Sequence, residues 1–219
     1  MAYFTTSATR NFELAKEDPD LHICGCFDAI EENPEQFIEA AECLMEFTTP
    51  QATMEHLVLC EKHKRAIVIG TTGLSDAERA KIEAASNKIP IVFSPNMSIG
   101  VNLLFKMVSD AAKVLGSEYS VAIVEAHHIH KKDSPSGTAK EIARVIKDAR
   151  GDVDIPIESV REGETVGEHT VTFESNVDLI EITHSAKTRD IFVKGALQAA
   201  KFVTGRKPGL YTMKDVLAL

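Results

Sequence analysis

His127, His128 and His130 fall within four residues, preceded by Glu125 and followed by Lys131, Lys132 and the run Asp133-Ser-Pro-Ser-Gly-Thr138. Histidine titrates near neutral pH and can donate a proton. The two lysines concentrate positive charge in a chain that is acidic overall. The Ser-Pro-Ser-Gly-Thr run opens a helix, whose first N–H groups can hold a carboxylate or phosphate. A proton donor, a cation and an anion cradle within a dozen residues point to acid–base chemistry on an anionic substrate. A solvated polar loop is the plainer alternative. A metal site is a third reading, and a metal-dependent hydrolytic centre would follow from it. On a strand, however, His127 points opposite to His128 and His130. The spacing matches no standard zinc signature, so no metal is predicted. Arg161, His169 and His184 are further polar candidates, read first as satisfied side chains on a sheet surface.

Two shorter stretches invite a ligand. Gly70-Thr71-Thr72-Gly73 directly follows the apolar run 66–69, where glycine allows close backbone approach; a plain strand-to-helix turn explains it equally well. Ser94-Pro95-Asn96-Met97 follows the apolar run 89–93. Its Asn96 amide could bond a nicotinamide carboxamide, although capping of the next helix is the preferred reading.

The elements that position these residues change character along the chain. In the first half, strands at 21–27, 44–47, 66–70 and 89–93 alternate with helices at 34–44, 51–63 and from Ser75, where Glu78 completes a capping box. This pattern predicts an open parallel sheet with helices on both faces and right-handed crossovers. Ligands of such sheets bind outside the carboxyl ends of the strands, here Asp28, Phe47-Thr48, 70–73 and 94–97. In the second half, helices at 100–115 and 136–150 accompany strands at 121–124, 155–160, 169–173 and 179–184. The last two alternate polar and apolar residues, as antiparallel strands with one solvated or oligomer-facing side do. A helix at 195–203 and an apolar tail close the chain. The predicted class is α/β. A Rossmann-like parallel-sheet domain comprises residues 1–97 and 193–219, and a mixed α+β substrate-binding and oligomerisation domain comprises 98–192.

Composition narrows the partners. The 219 residues carry a net charge of −9 with no Lys/Arg run, which argues against nucleic acid. No stretch approaches the ~18 apolar residues of a membrane helix, and the N-terminus has no signal-peptide pattern. Cys24, Cys26, Cys43 and Cys60 fit neither a zinc spacing nor a disulfide framework. They read as free thiols of a cytoplasmic protein.

Residues 125–139 match, at every defined position, the Glu-x-His-His-x-x-Lys-x-Asp-x-Pro-Ser-Gly-Thr-Ala signature of the 4-hydroxy-tetrahydrodipicolinate (dihydrodipicolinate) reductases. The resemblance continues through 46–50, where the family usually has Asp-Phe-Thr/Ser-x-Pro and this chain has Glu46. It extends through 68–73, 96–100, 166–170, 181–184, 195–197 and 209–211, and spans about 200 of the 219 residues. It implies reduction of a small dicarboxylate by NADH or NADPH in lysine and diaminopimelate biosynthesis, by a homotetramer assembled through the second domain's sheet. It also implies His127 as proton donor with Lys131 as catalytic partner, His128 in contact with substrate, and Gly137 and Thr138 holding a carboxylate. Gly70, Thr71, Thr72 and Ser94, Pro95, Asn96, Met97 would bind the nicotinamide side of the cofactor. Asp28 would bond the adenosine ribose, an acid that favours NADH by repelling a 2′-phosphate.

The resemblance breaks at the N-terminus. The family opens with a strand and a Gly-x-x-Gly-x-Met-Gly loop for the pyrophosphate. Residues 1–10 contain no glycine, and the first strand, the central member of the sheet, reads as largely missing. A start downstream of the family's, or a weakened or inactive paralogue that keeps the substrate pocket and oligomer but binds dinucleotide poorly, is the second reading.

Overall fold

The structure is a computed structural model that describes residues 2–5, 14–27 and 33–219. Asp28 and the glycine-less stretch 6–13 lie outside the described residues. The chain divides into two compact units, one made of residues 1–99 with 192–219 and the other of 100–191.

The first unit is built on strands β1 (Ala2–Thr5), β2 (Ile23–Phe27), β3 (Cys43–Glu46), β4 (Ala66–Ile69), β5 (Pro90–Phe93) and, from the far end of the chain, β10 (Gly209–Tyr211). They form one sheet in the order β10-β5-β4-β3-β1-β2, parallel throughout. β3 and β4 are buried along their whole length; β4 therefore reads as a continuous apolar run, while β3 ends on the buried carboxylate of Glu46. Successive side chains serve opposite faces. Cys43, Met45, Ala66 and Val68 meet Ala196, Ala199 and Val203 of helix α6 (Asp190–Val203). Leu44, Ile67 and Ile69 meet Ile38, Leu57 and Ile82 of helices α1 (Pro34–Ala40), α2 (Pro50–His63) and α3 (Asp76–Ser86). The helix starts are written in the sequence: Asn33, Thr49 and Ser75 each cap with a side-chain oxygen, and Ser75 with Glu78 completes the capping box.

One expectation is corrected. The first strand is present: Ala2–Thr5 pair in parallel with β2 on one side and β3 on the other, so the sheet keeps its central member. A short strand flanked on both sides is specified by its neighbours' ladders more than by its own composition. Helix α1 also ends earlier than expected. Ala41 leaves the helix with an extended backbone and Cys43 begins β3.

The second unit contains helix α4 (Ile99–Leu115), β6 (Ser120–His127), helix α5 (Gly137–Arg150), β7 (Ile157–Arg161), β8 (Gly167–Glu174) and β9 (Leu179–Ala186). Its sheet runs β7-β6-β8-β9. β6 and β7 are parallel, joined across α5, while β8 and β9 are antiparallel to their neighbours. Val121, Ile123, Val171 and Phe173 pack against Leu104 and Val108 of α4 and Ile142 and Ile146 of α5. The opposite face, with Val124 and Leu179, is exposed. The tail forms β10 and helix α7 (Met213–Leu217), and Met213 is buried in the first unit's core.

Candidate active site

Strand alternation and register assemble a polar cluster at one end of the second unit's sheet. β6 buries Val121, Ile123, Glu125 and His127 in phase. Glu125 lies opposite His169 of β8, His127 opposite Arg161 of β7, and His169 opposite His184 of β9. Five polar residues thus share the face whose other end is the apolar core.

Glu125, fully buried, is the hub. Its Oε2 is bonded to Nδ1 of His127. Arg161 forks onto it, Nη1 to Oε2 at 3.1 Å and Nη2 to Oε1 at 2.8 Å, and Nη2 also donates to the Asp133 carbonyl at 2.8 Å. Such two-point contact fixes geometry as well as charge. The backbone N–H of Ser136 donates to Oε1 at 3.2 Å. Ser136 also caps α5 by accepting from Ala139 N, and its Oγ lies 3.0 Å from Nε2 of His169. The carboxylate therefore ties the histidine strand to the helix start.

Burial would push the Glu125 carboxyl up, but the Arg161 guanidinium above all, with Ser159 and His127 after it, overcomes this and holds it at about 2. Burial pushes the His127 ring below the usual histidine range, with Glu125 opposing. His169 is pushed down to about 4, first by burial and then by the charge on His127.

Lys131 sits in the turn after β6, its N–H donating to the His128 carbonyl at 3.1 Å and its Nζ 2.7 Å from Asp133 Oδ1. Nε2 of His128 lies 3.3 Å from Arg189 Nη2, while its buried Nδ1 has no partner among the described residues. His130 and Lys132 are exposed. Gly137 and Thr138 begin α5, where first-turn N–H groups have no intrahelical acceptor. A Cβ on Gly137 would meet nothing within 4 Å, so open space lies against this helix start.

Ligand atoms of Glu125, His127 and His169 lie within 4.8 Å of one another. A cation among them would have to displace or face the Arg161 guanidinium, which already occupies both carboxylate oxygens. The arrangement suits proton transfer.

In the first unit, the residues expected to meet a cofactor line the carboxyl edge of the sheet. The strand order reverses between β1 and β3, the place where such sheets open a crevice for dinucleotides. Thr72 and Gly73 are exposed, and Gly73 has φ +79° with nothing near a built Cβ, so the loop offers backbone to a ligand. This edge fits a dinucleotide. Gly70 serves a different purpose: a Cβ there would lie 2.1 Å from the Phe47 ring, so its glycine admits a side chain of the protein itself. Thr71 is buried against Thr53 at 2.9 Å. Ser94 Oγ donates to the Asn96 carbonyl at 2.8 Å, and Asn96 Oδ1 accepts from Ser98 N at 2.9 Å, an Asx turn that leads into helix Ile99–Leu115. Pro95 is exposed and Met97 buried.

The family profile "Dihydrodipicolinate reductase, N-terminus" matches residues 11–97, and "Dihydrodipicolinate reductase, C-terminus" matches 100–217. The chain belongs to the dihydrodipicolinate reductase family. Among its relatives, the 4-hydroxy-tetrahydrodipicolinate reductase of Geotalea uraniireducens is 44% identical, covering 83% of this chain and 75% of its own. That of Chromohalobacter salexigens is also 44% identical, over 86% and 77%. The dipicolinate-bound dihydrodipicolinate reductase from Paenisporosarcina sp. TG-14 shares the fold, with a TM-score of 0.84 over 99% of this chain and 98% of that one, at 23% identity. Within the family frame, sequence reasoning missed Glu125 as hub and left Arg161 and His169 as surface residues. A signal was available, because His169 shares its phase on β8 with the apolar Val171 and Phe173.

Proposed function

We propose that this chain reduces 4-hydroxy-tetrahydrodipicolinate to tetrahydrodipicolinate, with loss of water, in lysine and diaminopimelate biosynthesis. The observation that carries the reading is the buried Glu125–His127 pair anchored to the start of α5 and lying within a dihydrodipicolinate reductase signature. NAD(P)H, when bound, supplies a hydride. His127 donates the accompanying proton from Nε2, because Glu125 holds Nδ1. Lys131, beside it in the turn, offsets negative charge that develops on the substrate. Gly137 and Thr138 donate backbone N–H groups to one substrate carboxylate at the helix start. His128, with its unpartnered Nδ1, bonds the substrate as well.

Gly70, Thr71, Thr72, Ser94, Pro95, Asn96 and Met97 form the cofactor edge. Gly70 and Thr71 act through the loop they shape, and Thr72 and Gly73 by direct exposure. Preference for NADH follows from an acid at position 28, and competition between the two cofactors tests it. The central strand β1 and the relatives' common name favour an active enzyme over a weakened paralogue. The outer face of the second sheet, where Val124 is 38% and Leu179 50% exposed, supports a homotetramer, which light scattering checks. Free thiols at Cys24, Cys26, Cys43 and Cys60 support a reducing cytoplasm. No helix among the described residues is long and apolar enough to cross a membrane.

The deciding experiment is substrate-dependent oxidation of NADH or NADPH by the purified chain. His127→Ala and Lys131→Ala should each cut kcat by about 100-fold or more and leave cofactor affinity unchanged. Equal loss of turnover and cofactor binding would overturn these roles.

A further inference from the structure

A second buried acid–histidine pair lies in the first unit and has no part in the proposed chemistry. Glu46 ends β3 with its side chain fully buried. Its Oε1 accepts from Thr48 N at 3.0 Å, from the Thr48 hydroxyl, and from Thr53 Oγ1 at 3.4 Å. Its Oε2 lies 2.5 Å from Nδ1 of His56. Thr53 and His56 are three residues apart on α2, hence on one face, and both are buried.

The network then reaches a second loop. Thr53 Oγ1 lies 2.9 Å from the Thr49 carbonyl and 2.9 Å from Thr71 Oγ1. A hydroxyl carries one proton. That proton has three acceptors within reach, Glu46 Oε1, the Thr49 carbonyl and Thr71 Oγ1, the last accepting from Thr53. Thr71 is thereby held from beneath. The Glu46 carbonyl also accepts from Gly70 N at 2.9 Å. One carboxylate and its partners thus join the 47–49 loop to the 70–73 loop, the two neighbouring loops at the carboxyl edge.

A buried ionisable pair contributes little net stability over apolar residues of similar size, so its value here lies in what it holds in place. We propose that Glu46 and His56 are positioning residues for the dinucleotide. Through Thr48 and Thr53 they lock the two loops into the single relative geometry to which the cofactor binds. The inference rests on the cofactor reading of this edge.

The test measures NADH and NADPH binding by calorimetry, with melting temperature, substrate KM and kcat at saturating cofactor alongside. Thr53→Val keeps the volume and removes the hydroxyl; Thr53→Ser does the reverse. Loss of one well-placed hydrogen bond should raise the dinucleotide Kd about tenfold in Thr53→Val. Thr53→Ser should restore it to about the wild-type value, and Glu46→Gln should shift Kd in the same direction as Thr53→Val. Substrate KM and saturated kcat should hold. A Thr53→Val protein that binds both dinucleotides like wild type, whether or not it melts earlier, overturns the inference and leaves only a packing role. If Glu46→Gln does not fold, the Thr53 pair decides alone. A wild type that binds neither dinucleotide removes the cofactor reading and this inference with it.

Discussion

His127 turns Nδ1 onto Oε2 of Glu125, and so presents Nε2 to the space beside Gly167. The orientation has a consequence for pH. Burial already depresses the ring, and the Glu125 carboxylate partly opposes it. Glu125→Gln removes that opposing charge while keeping a hydrogen-bond acceptor, so the ring gives up its proton at lower pH. A proton donor works only while protonated. The limb on which kcat/KM falls with rising pH therefore moves to lower pH, and activity at pH 7.5 drops about tenfold or more. Profiles recorded at saturating cofactor check this, and an unmoved limb in a folded variant would remove Glu125 from the acid–base system.

Gly167 sets the clearance on the other side of the same ring. A Cβ there would stand 3.0 Å from Nε2 and 3.4 Å from Cδ2 of His127. The ring would have to tilt by a few tenths of an ångström against a carboxylate that holds its far edge. Misplacement of a reacting group by even less than 1 Å is costly to rate. Gly167→Ala should lower kcat about tenfold or more, with the dinucleotide Kd unchanged. Unaltered kcat in this variant would show that Nε2 is not the working atom.

His169 makes the second unit's stability pH-dependent. Its ring titrates at about 4 in the fold against an ordinary value of 6.5, because burial disfavours the charged form. Between those values the unfolded chain binds the extra proton, so stability rises with pH. The contribution is complete above pH 6.5 and is lost as pH falls towards 4. It amounts to about 3 kcal/mol. His169→Gln can still bond the Ser136 hydroxyl but cannot titrate. Its melting temperature should vary less steeply between pH 4 and 7 than that of the wild type. A residual slope should remain from His127 and His184, which burial also depresses. Identical slopes would assign the acid sensitivity elsewhere.

Much of this was legible in the sequence because it is local. Capping at Ser75, the continuous apolar run of β4, and the helix opened by Ser136 each need only neighbouring residues. What was hidden depends on register. Glu125 meets Arg161 and His169 only because β6 pairs with β7 and β8 at one particular offset, and no local pattern fixes that offset. The first strand was hidden for the same reason, since Ala2–Thr5 are held by β2 and β3 on either side. Glu46 reads as a minor variation within a motif until Thr53, His56 and Thr71 are seen to converge on it.

Gly195 shows how a helix far along the chain reaches the cofactor edge within the first unit. It lies in α6, and a Cβ there would fall 1.7 Å from the Met97 carbonyl oxygen and 2.8 Å from its carbon. The obstacle is backbone, which cannot rotate away as a flexible side chain can. Alanine would gain helix propensity worth about 1 kcal/mol, but overpacking against a fixed carbonyl costs about 1–3 kcal/mol or more, so the clash wins. Relief must come from displacing the 94–98 turn, which Ser94 and Asn96 otherwise hold with their own hydrogen bonds. Gly195→Ala should therefore lower the melting temperature and raise the dinucleotide Kd together. A variant that melts at or above the wild-type temperature would show that α6 can shift away from Met97 at no cost, and would break the link between this helix and the cofactor loop.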